Sequence, residues 1–166
     1  SIGLIDGIEN GAHRCLRWQH GNIMMSGSGS STSKLALLVR SCATILSDSL
    51  GFPLCGVSID SGTPHSSVTS PDYLIRDIVD FGVLCEDICH RAPCVIWLED
   101  IEGTLHMLEE CSGVLRAHDL WGQFTRSCDG VNIVLIASDV SGRFTPRTLF
   151  GSYEHIWHEI PNPQIT

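Results

Sequence analysis

The chain of 166 residues is long enough to bury a hydrophobic core within one domain. Hydrophobic residues make up 43% of it and charged residues 17%, which is typical of a globular protein and excludes general disorder. No apolar run reaches the roughly 20 residues of a membrane-spanning helix. The net charge of −9, with no cluster of Lys and Arg, argues against nucleic acid as a partner, because phosphates repel an acidic surface.

The eight cysteines allow two interpretations. Cys85, Cys89 and His90 resemble the start of a zinc site, but the sequence has no second pair at ligand spacing. A spacing of four also places Cys85 and Cys89 on one face of a helix. We therefore predict that the cysteines pack as small hydrophobic residues in the core.

The hydrophobic spacing predicts alternating helices and strands in the first part of the chain. The predicted elements are a helix over 4–18, a strand over 22–26, a helix over 35–50 and a strand over 52–60. Gly51 is the expected C-cap of the second helix.

The second part of the chain continues this alternation after a polar loop over 61–70. Ser70-Pro71-Asp72 predicts a helix start, because Ser is a good N-cap and Pro suits the first helical position. The further predicted elements are the rest of that helix to about His90, a strand over 94–98, a helix over 112–127 and strands over 131–137 and 155–160. Strands that alternate with helices predict an α/β fold with a five-stranded, mostly parallel sheet covered on both faces.

The segment after the first strand lies where P-loop nucleotide-binding proteins carry GxxxxGK[ST]. In that motif the glycine backbone wraps the phosphates, Lys neutralises the β- and γ-phosphates, and the hydroxyl residue binds Mg²⁺. The candidate nucleotide-binding residues are Gly27, Ser28, Gly29, Ser30, Ser31, Thr32, Ser33, Lys34 and Leu35.

Neither register of this segment gives a complete motif. Counting from Gly27 puts Thr32 at the second glycine and Ser33 at the lysine. Shifting by one residue keeps Lys34 but puts Leu35 at the Mg²⁺ position. Lys34 is the only lysine in the chain, so it is the candidate for phosphate binding. The alternative is a Gly/Ser-rich loop that only turns the chain into a helix, with Lys34 facing solvent.

Three later segments resemble motifs of the AAA+ ring ATPases. CVIWLEDIE over 94–102 resembles the Walker B segment, VNIVLIASDV over 131–140 the sensor 1 strand, and 144–163 the end of the large subdomain. Their order and spacing, with the loop, extend the resemblance over residues 5 to 163. It implies a P-loop NTPase-like three-layer sandwich, with 1–166 a single large α/β subdomain and the helical lid absent. Ser1 in place of Met indicates a segment of a longer protein.

The resemblance implies roles for three acids. Glu99 stands where the family's first acid helps to hold Mg²⁺, and Asp100 where the second acid activates the attacking water. The family order is Asp then Glu, so the shorter Asp100 would stand back from the water. Asp139 stands where Asn is usual, and its carboxylate would repel the γ-phosphate.

The resemblance also implies ATP and Mg²⁺ as cofactors, and other AAA+ subunits in a ring and protein substrates or adaptors as partners. The family's arginine-finger positions fall near Phe150 and Ser152, so the chain supplies no finger. We therefore predict a degenerate module that scaffolds or regulates a ring assembly, with weak or no ATP hydrolysis.

Within the family, the segment is similar to the degenerate first ATPase domains of the two peroxisomal import peroxins. That similarity implies a role in protein transport and a cytoplasmic location at an organelle surface. Two alternatives remain: an active ATP-hydrolysing AAA+ motor that uses Lys34, Glu99 and Asp100, and an α/β binding domain without nucleotide.

Overall fold

The structure is a computed structural model that describes residues 22–26, 32–60, 71–128, 133–139 and 157–161, with the backbone alone for 32–34 and 157–161. The strands are β1 (Asn22–Ser26), β2 (Leu54–Ile59), β3 (Tyr73–Ile75), β4 (Cys94–Leu98), β5 (Ile133–Asp139) and β6 (Trp157–Pro161). The helices are α1 (Thr32–Leu50), α2 (Ile78–Arg91), α3 (Ile101–Ser112) and α4 (Val114–Ser127). The predicted helix over 4–18 lies outside the described residues.

The strands form one sheet in which every neighbouring pair is parallel. Five of them have the order β1-β5-β4-β2-β3, and β6 pairs with the other side of β1. The predicted α/β class and parallel sheet are confirmed, and all five predicted strands take part. β1, β4 and β5 are buried along their whole length, as expected of parallel strands covered on both faces.

Helices cover both faces of the sheet. On one face α1 packs in a hydrophobic cluster that includes Leu46 and Ile136. On the other face α2, α3 and α4 form a larger cluster that includes Phe81, Leu108 and Phe124. Among the described helices, α1 to α4, none combines the length and apolar character needed to cross a membrane.

The predicted helix start at Ser70-Pro71-Asp72 is wrong. Residues Tyr73–Ile75 form β3 instead, beside β2, and α2 begins at Ile78. The side chain of Asp77 caps α2 by accepting a hydrogen bond from the backbone N of Asp80 at 2.9 Å. Pairing with β2 satisfies backbone groups of this Tyr-Leu-Ile segment, and this outweighs the local helix signal.

Gly113 separates two helices where the sequence predicted one over 112–127. Its φ of 82° lies in the left-handed region, which glycine adopts without strain. The predicted helix is α4, and the additional α3 precedes it. Gly51 has a φ of 70°, and its N–H donates to Ser47 O at 2.9 Å, so its predicted role as a C-cap is confirmed.

Most of the described cysteines belong to the core. The buried ones are Cys42, Cys55, Cys85, Cys94 and Cys128, which confirms the predicted packing for these five. Burial raises the pKa of Cys55 and of Cys85 to about 12, so both thiols stay protonated at neutral pH. Cys89 is exposed, one turn of α2 from the buried Cys85. Over the described ranges, no group of three or more His, Cys, Asp or Glu side chains is arranged to hold a metal ion.

Gly56 makes room for a large side chain on the neighbouring strand. Gly56 on β2 and Trp97 on β4 are Cα partners in the parallel register. A Cβ atom at Gly56 would collide with the indole ring of Trp97, which is fully buried. The position of Trp97 over β2 therefore depends on a residue without a side chain.

We expect Gly56→Ala to lower the free energy of unfolding by about 1–3 kcal/mol or more, because Trp97 must move within a packed core. Urea unfolding measures this loss. The matched control is Gly82→Ala in α2, where a Cβ meets no atom within 4 Å and the helix gains about 0.5–1 kcal/mol. Parent-like stability of Gly56→Ala would contradict the fixed position of Trp97.

Candidate functional site

The chain leaves the strands on either side of β5 toward opposite faces of the sheet. After β1 it continues to α1 on one face, and after β4 it continues to α3 on the other. Such a divergence opens a crevice at the carboxyl ends of the strands, and open α/β sheets bind ligands in crevices of this kind. The carboxyl ends of β1 and β4 lie at the same edge, with β5 between them.

The phosphate-loop candidates follow β1 in the chain and continue into α1. Gly27, Ser28, Gly29, Ser30 and Ser31 lie outside the described residues. Thr32, Ser33 and Lys34 form the beginning of α1. The side chain of Leu35 is buried in the cluster beneath α1, where it contributes packing and offers no oxygen to a metal ion.

Glu99, the predicted Mg²⁺ ligand, is held by an arginine. Arg40 of α1 donates from Nε to Oε1 of Glu99, and the two side chains are only 16% and 15% exposed. The guanidinium carbon lies 4.7 Å from the centre of the Trp97 ring, within the range of a cation–π contact. Ser58 Oγ lies 3.5 Å from Oε2 of Glu99, at the outer limit of a hydrogen bond.

Side-chain alternation explains why these groups meet. Trp97 and Glu99 are two residues apart, and so are Gly56 and Ser58 on β2, which places all four on the face covered by α1. Arg40 reaches them from α1. We refer to Arg40, Glu99, Trp97, Ser58 and Gly56 as the Arg40 cluster.

In this arrangement the guanidinium of Arg40 opposes the predicted role of Glu99 as a Mg²⁺ ligand. Mg²⁺ takes six oxygen ligands at about 2.0–2.1 Å. One carboxylate oxygen of Glu99 already accepts from Arg40. A dication about 4 Å from the guanidinium would be repelled by about 8 kcal/mol at an effective dielectric constant of about 20. The Oε1 atom of Glu99 is therefore engaged by Arg40, and a divalent cation at this carboxylate would have to compete with the guanidinium.

Asp100, the predicted catalytic base, caps α3. Its Oδ1 accepts from the backbone N of Gly103 at 2.9 Å, and its carbonyl oxygen accepts from Thr104 Oγ1 at 2.7 Å. A Cβ at Gly103 would collide with the Asp100 carboxylate, so the cap depends on this glycine. The carboxylate satisfies one of the N–H groups that a helix start leaves unpaired.

Asp139, the third predicted acid, ends β5 and is fully buried beside Ser26, its Cα partner on β1. Alternation along β5 directs Asp139 to the face of α2, α3 and α4, and directs Ser138 to the face of α1. The three acids therefore lie at one edge of the sheet, and Glu99 contacts Arg40 of α1. Ser138 Oγ is buried and has no hydrogen-bond partner in the part of the chain that the structure describes.

Sequence reasoning did not identify Arg40, Ser58 or Gly56. A cation next to the apolar stripe of a helix is the one local signal for Arg40. Gly56 and Ser58 alternate along β2 with buried apolar residues, so one face of the strand carries small or polar residues and the other carries apolar ones. No local pattern joins Arg40 to Glu99, which follows 59 residues later.

Comparison with known proteins identifies no family, since no family model matches the chain and no curated protein matches it. The parallel α/β sheet is established by the structure, and the functional interpretation rests on the residues at its carboxyl edge.

We expect Asp100→Ala to lower the free energy of unfolding by about 1 kcal/mol, because the N–H of Gly103 loses its acceptor. Asp100→Asn keeps an acceptor and should cost less than about half of that. Urea unfolding compares the two, with Asp119→Ala on the exposed side of α4 as the control. Equal losses for the Ala and Asn variants would show that the cap is not what Asp100 contributes.

Proposed function

We propose that this chain is a degenerate AAA+ module that scaffolds or regulates a ring assembly and hydrolyses ATP weakly or not at all. One observation carries the proposal: both acids of the Walker B-like segment are engaged within the chain. Glu99 binds Arg40, and Asp100 caps α3.

The arrangement of the strands supports the nucleotide-binding side of this proposal. The phosphate-loop candidates follow β1, the Walker B-like acids follow β4, and the sensor 1-like residue Asp139 ends β5. These three strands are neighbours in the order β4-β5-β1, and all are parallel. This strand order supports the proposal, because a P-loop NTPase-like three-layer sandwich needs the corresponding segments at one edge of its sheet.

The requirements of phosphoryl transfer support the proposed weakness or absence of ATP hydrolysis. Hydrolysis needs a phosphate-binding lysine, a metal ligand, a group that positions water and a trans-acting arginine together. Loss of one such group commonly costs about 10²-fold or more in rate. Here the metal ligand and the base have structural partners, and the finger positions at Phe150 and Ser152 lie outside the described residues.

A scaffold of this kind would act through its neighbours. Its partners would be other AAA+ subunits in a ring, and protein substrates or adaptors, at the cytoplasmic surface of an organelle. ATP would serve as a weak, non-hydrolysed ligand held by the beginning of α1, where helix N–H groups and Lys34 attract phosphate.

We expect the isolated chain to show no ATP turnover above background. Asp100→Asn should not change that background, because the cap that it preserves is structural. Phosphate release, measured over hours with an active ATPase as the positive control, tests this. A clear rate that disappears in Asp100→Asn would establish the active-motor alternative.

We expect any ATP binding to be weaker than about 1 μM and to depend on Lys34, the only lysine. The physical reason is that Thr32 stands where a glycine would wrap the β-phosphate, so the lysine charge must supply much of the attraction. Calorimetric titration of the parent and of Lys34→Ala measures this, with the exposed Arg116→Ala on α4 as the charge-matched control.

Two results would contradict this account of the loop. Tight binding that survives Lys34→Ala would remove the assigned role of the lysine. An equal loss in Arg116→Ala would show that only net charge matters. Complete lack of binding in the parent would favour the α/β domain without nucleotide.

A further inference from the structure

We propose that β3 is an interaction surface at which two copies of this chain pair edge to edge, each adding its β3 to the sheet of the other. Among the strands that the structure describes, β3 ends the sheet and has β2 as its single neighbour. An edge of this kind carries backbone groups that a further strand can bind. The inference goes beyond the proposed function and does not use the residues at the carboxyl edge.

The hydrogen bonds around β3 show which of its backbone groups face outward. Successive residues of a strand direct their N–H and C=O groups to opposite sides. The carbonyl of Ile75 accepts from the backbone N of Asp60 at 3.0 Å, on the side of β2. The N–H of Arg76, the next residue, instead donates to Oδ2 of Asp80 at 3.0 Å. The N–H and C=O of Leu74, which precedes Ile75, therefore point away from β2.

These outward groups suit an antiparallel pair centred on Leu74. Residues that face each other in such a pair exchange both backbone hydrogen bonds, so Leu74 of one copy can bind Leu74 of the other twice. A two-fold axis at this point makes the contact isologous, which is the commonest symmetry of protein dimers. The Leu74 side chain is 37% exposed, and pairing buries this apolar surface against its own copy.

The residues on either side of Leu74 are self-complementary in this register. Asp72 of one copy faces Arg76 of the other, so both outer pairs join opposite charges. Tyr73 faces Ile75 in the same way, and an aromatic ring opposite a β-branched side chain is a favourable cross-strand pair. Charges at a sheet edge usually oppose pairing. Here the order of the charges makes them attract a second copy of the same segment.

Both charges are accessible to a second copy. Asp72 is exposed, and its carboxylate, which accepts from the backbone N of Gly56 at 2.7 Å, can accept from further donors. The Arg76 side chain is 67% exposed, and its ion pair with Asp80 is a surface pair of small worth, so the guanidinium can turn to another carboxylate. A strand of 3 residues gives a small interface. We therefore expect a weak dimer, with a Kd of about 100 μM.

Sedimentation velocity of the chain without nucleotide, from about 10 μM to about 1 mM, measures this association. The mean mass of the parent should rise from 18.1 kDa toward twice that value. Arg76→Asp turns both outer pairs into acid against acid and should raise the Kd about tenfold or more. Arg116→Asp on α4 is the matched control, because it makes the same change of charge at another exposed arginine. Its Kd should stay within about threefold of the parent value.

A substitution at Leu74 separates the backbone contribution from that of the side chain. Leu74→Pro removes the outward N–H but keeps the bonds to β2, since an edge strand tolerates proline where its nitrogen faces solvent. This variant should remain monomeric. Leu74→Ala keeps the N–H and C=O groups and should change the Kd by less than about fivefold.

Amide hydrogen exchange of the parent locates the interface without any substitution. The Leu74 amide should exchange about threefold more slowly at about 1 mM than at about 30 μM, because pairing covers it in the dimer. The Ile75 amide faces β2 and should be equally protected at both concentrations. If Leu74→Pro does not fold, this measurement and the comparison of the two arginine variants decide.

A parent that stays monomeric up to about 1 mM overturns the proposal, and so does equal weakening in Arg76→Asp and Arg116→Asp. A folded Leu74→Pro variant that still dimerises, or a dimer whose Leu74 amide is not protected, shows that another surface is used and also overturns it. Protection of the Leu74 amide in the monomer shows that another segment of the chain covers this edge, which rules out pairing between copies.

Discussion

The ion pair between Arg40 and Glu99 is the constraint on which the carboxyl edge of the sheet depends. It joins α1 to the end of β4 across one face of the sheet, and each side chain is about 85% shielded from water because the exposed fractions are 16% and 15%. Removing one partner of a buried pair commonly costs about 3–5 kcal/mol, because the remaining charge is left without compensation. The indole of Trp97 supports the guanidinium, and Gly56 makes room for the indole. The packing of the core and the electrostatics of the edge therefore depend on the same few residues.

The same ion pair distinguishes two roles for a pair of acids that follows a buried strand, a catalytic role and a structural one. Glu99 and Asp100 follow an apolar strand as catalytic acids do, but each has a structural partner, Arg40 for the first and the start of α3 for the second. A carboxylate that accepts from a helix N–H or from a guanidinium is fixed in position, and a metal ion or a water molecule must compete with that partner. The chemistry of this edge is therefore decided by contacts that the motif itself does not contain.

These contacts also explain how far the sequence could predict the structure. The strands β1, β4 and β5 were predictable because strands buried on both faces read as continuous apolar runs. The strand β3 was not predictable, because it depends on pairing with the distant strand β2. The Ser-Pro-Asp signal before it reflects only the neighbouring residues. Of the candidate site, the sequence indicated Glu99, Asp100 and Asp139 through the resemblance of their segments to known motifs. It could not indicate Arg40, because the pairing spans 59 residues and depends on how α1 crosses the sheet.

Stability and metal binding compete for one carboxylate in this fold. A site that bound Mg²⁺ through Glu99 would need this carboxylate released from Arg40. Replacing both partners of a buried ion pair by well-packed apolar groups is often neutral or stabilising, whereas removing Arg40 alone would leave the Glu99 carboxylate without compensation. The pairing of Arg40 with Glu99 beside Trp97 therefore joins the packing of α1 on the sheet to the electrostatics of this edge.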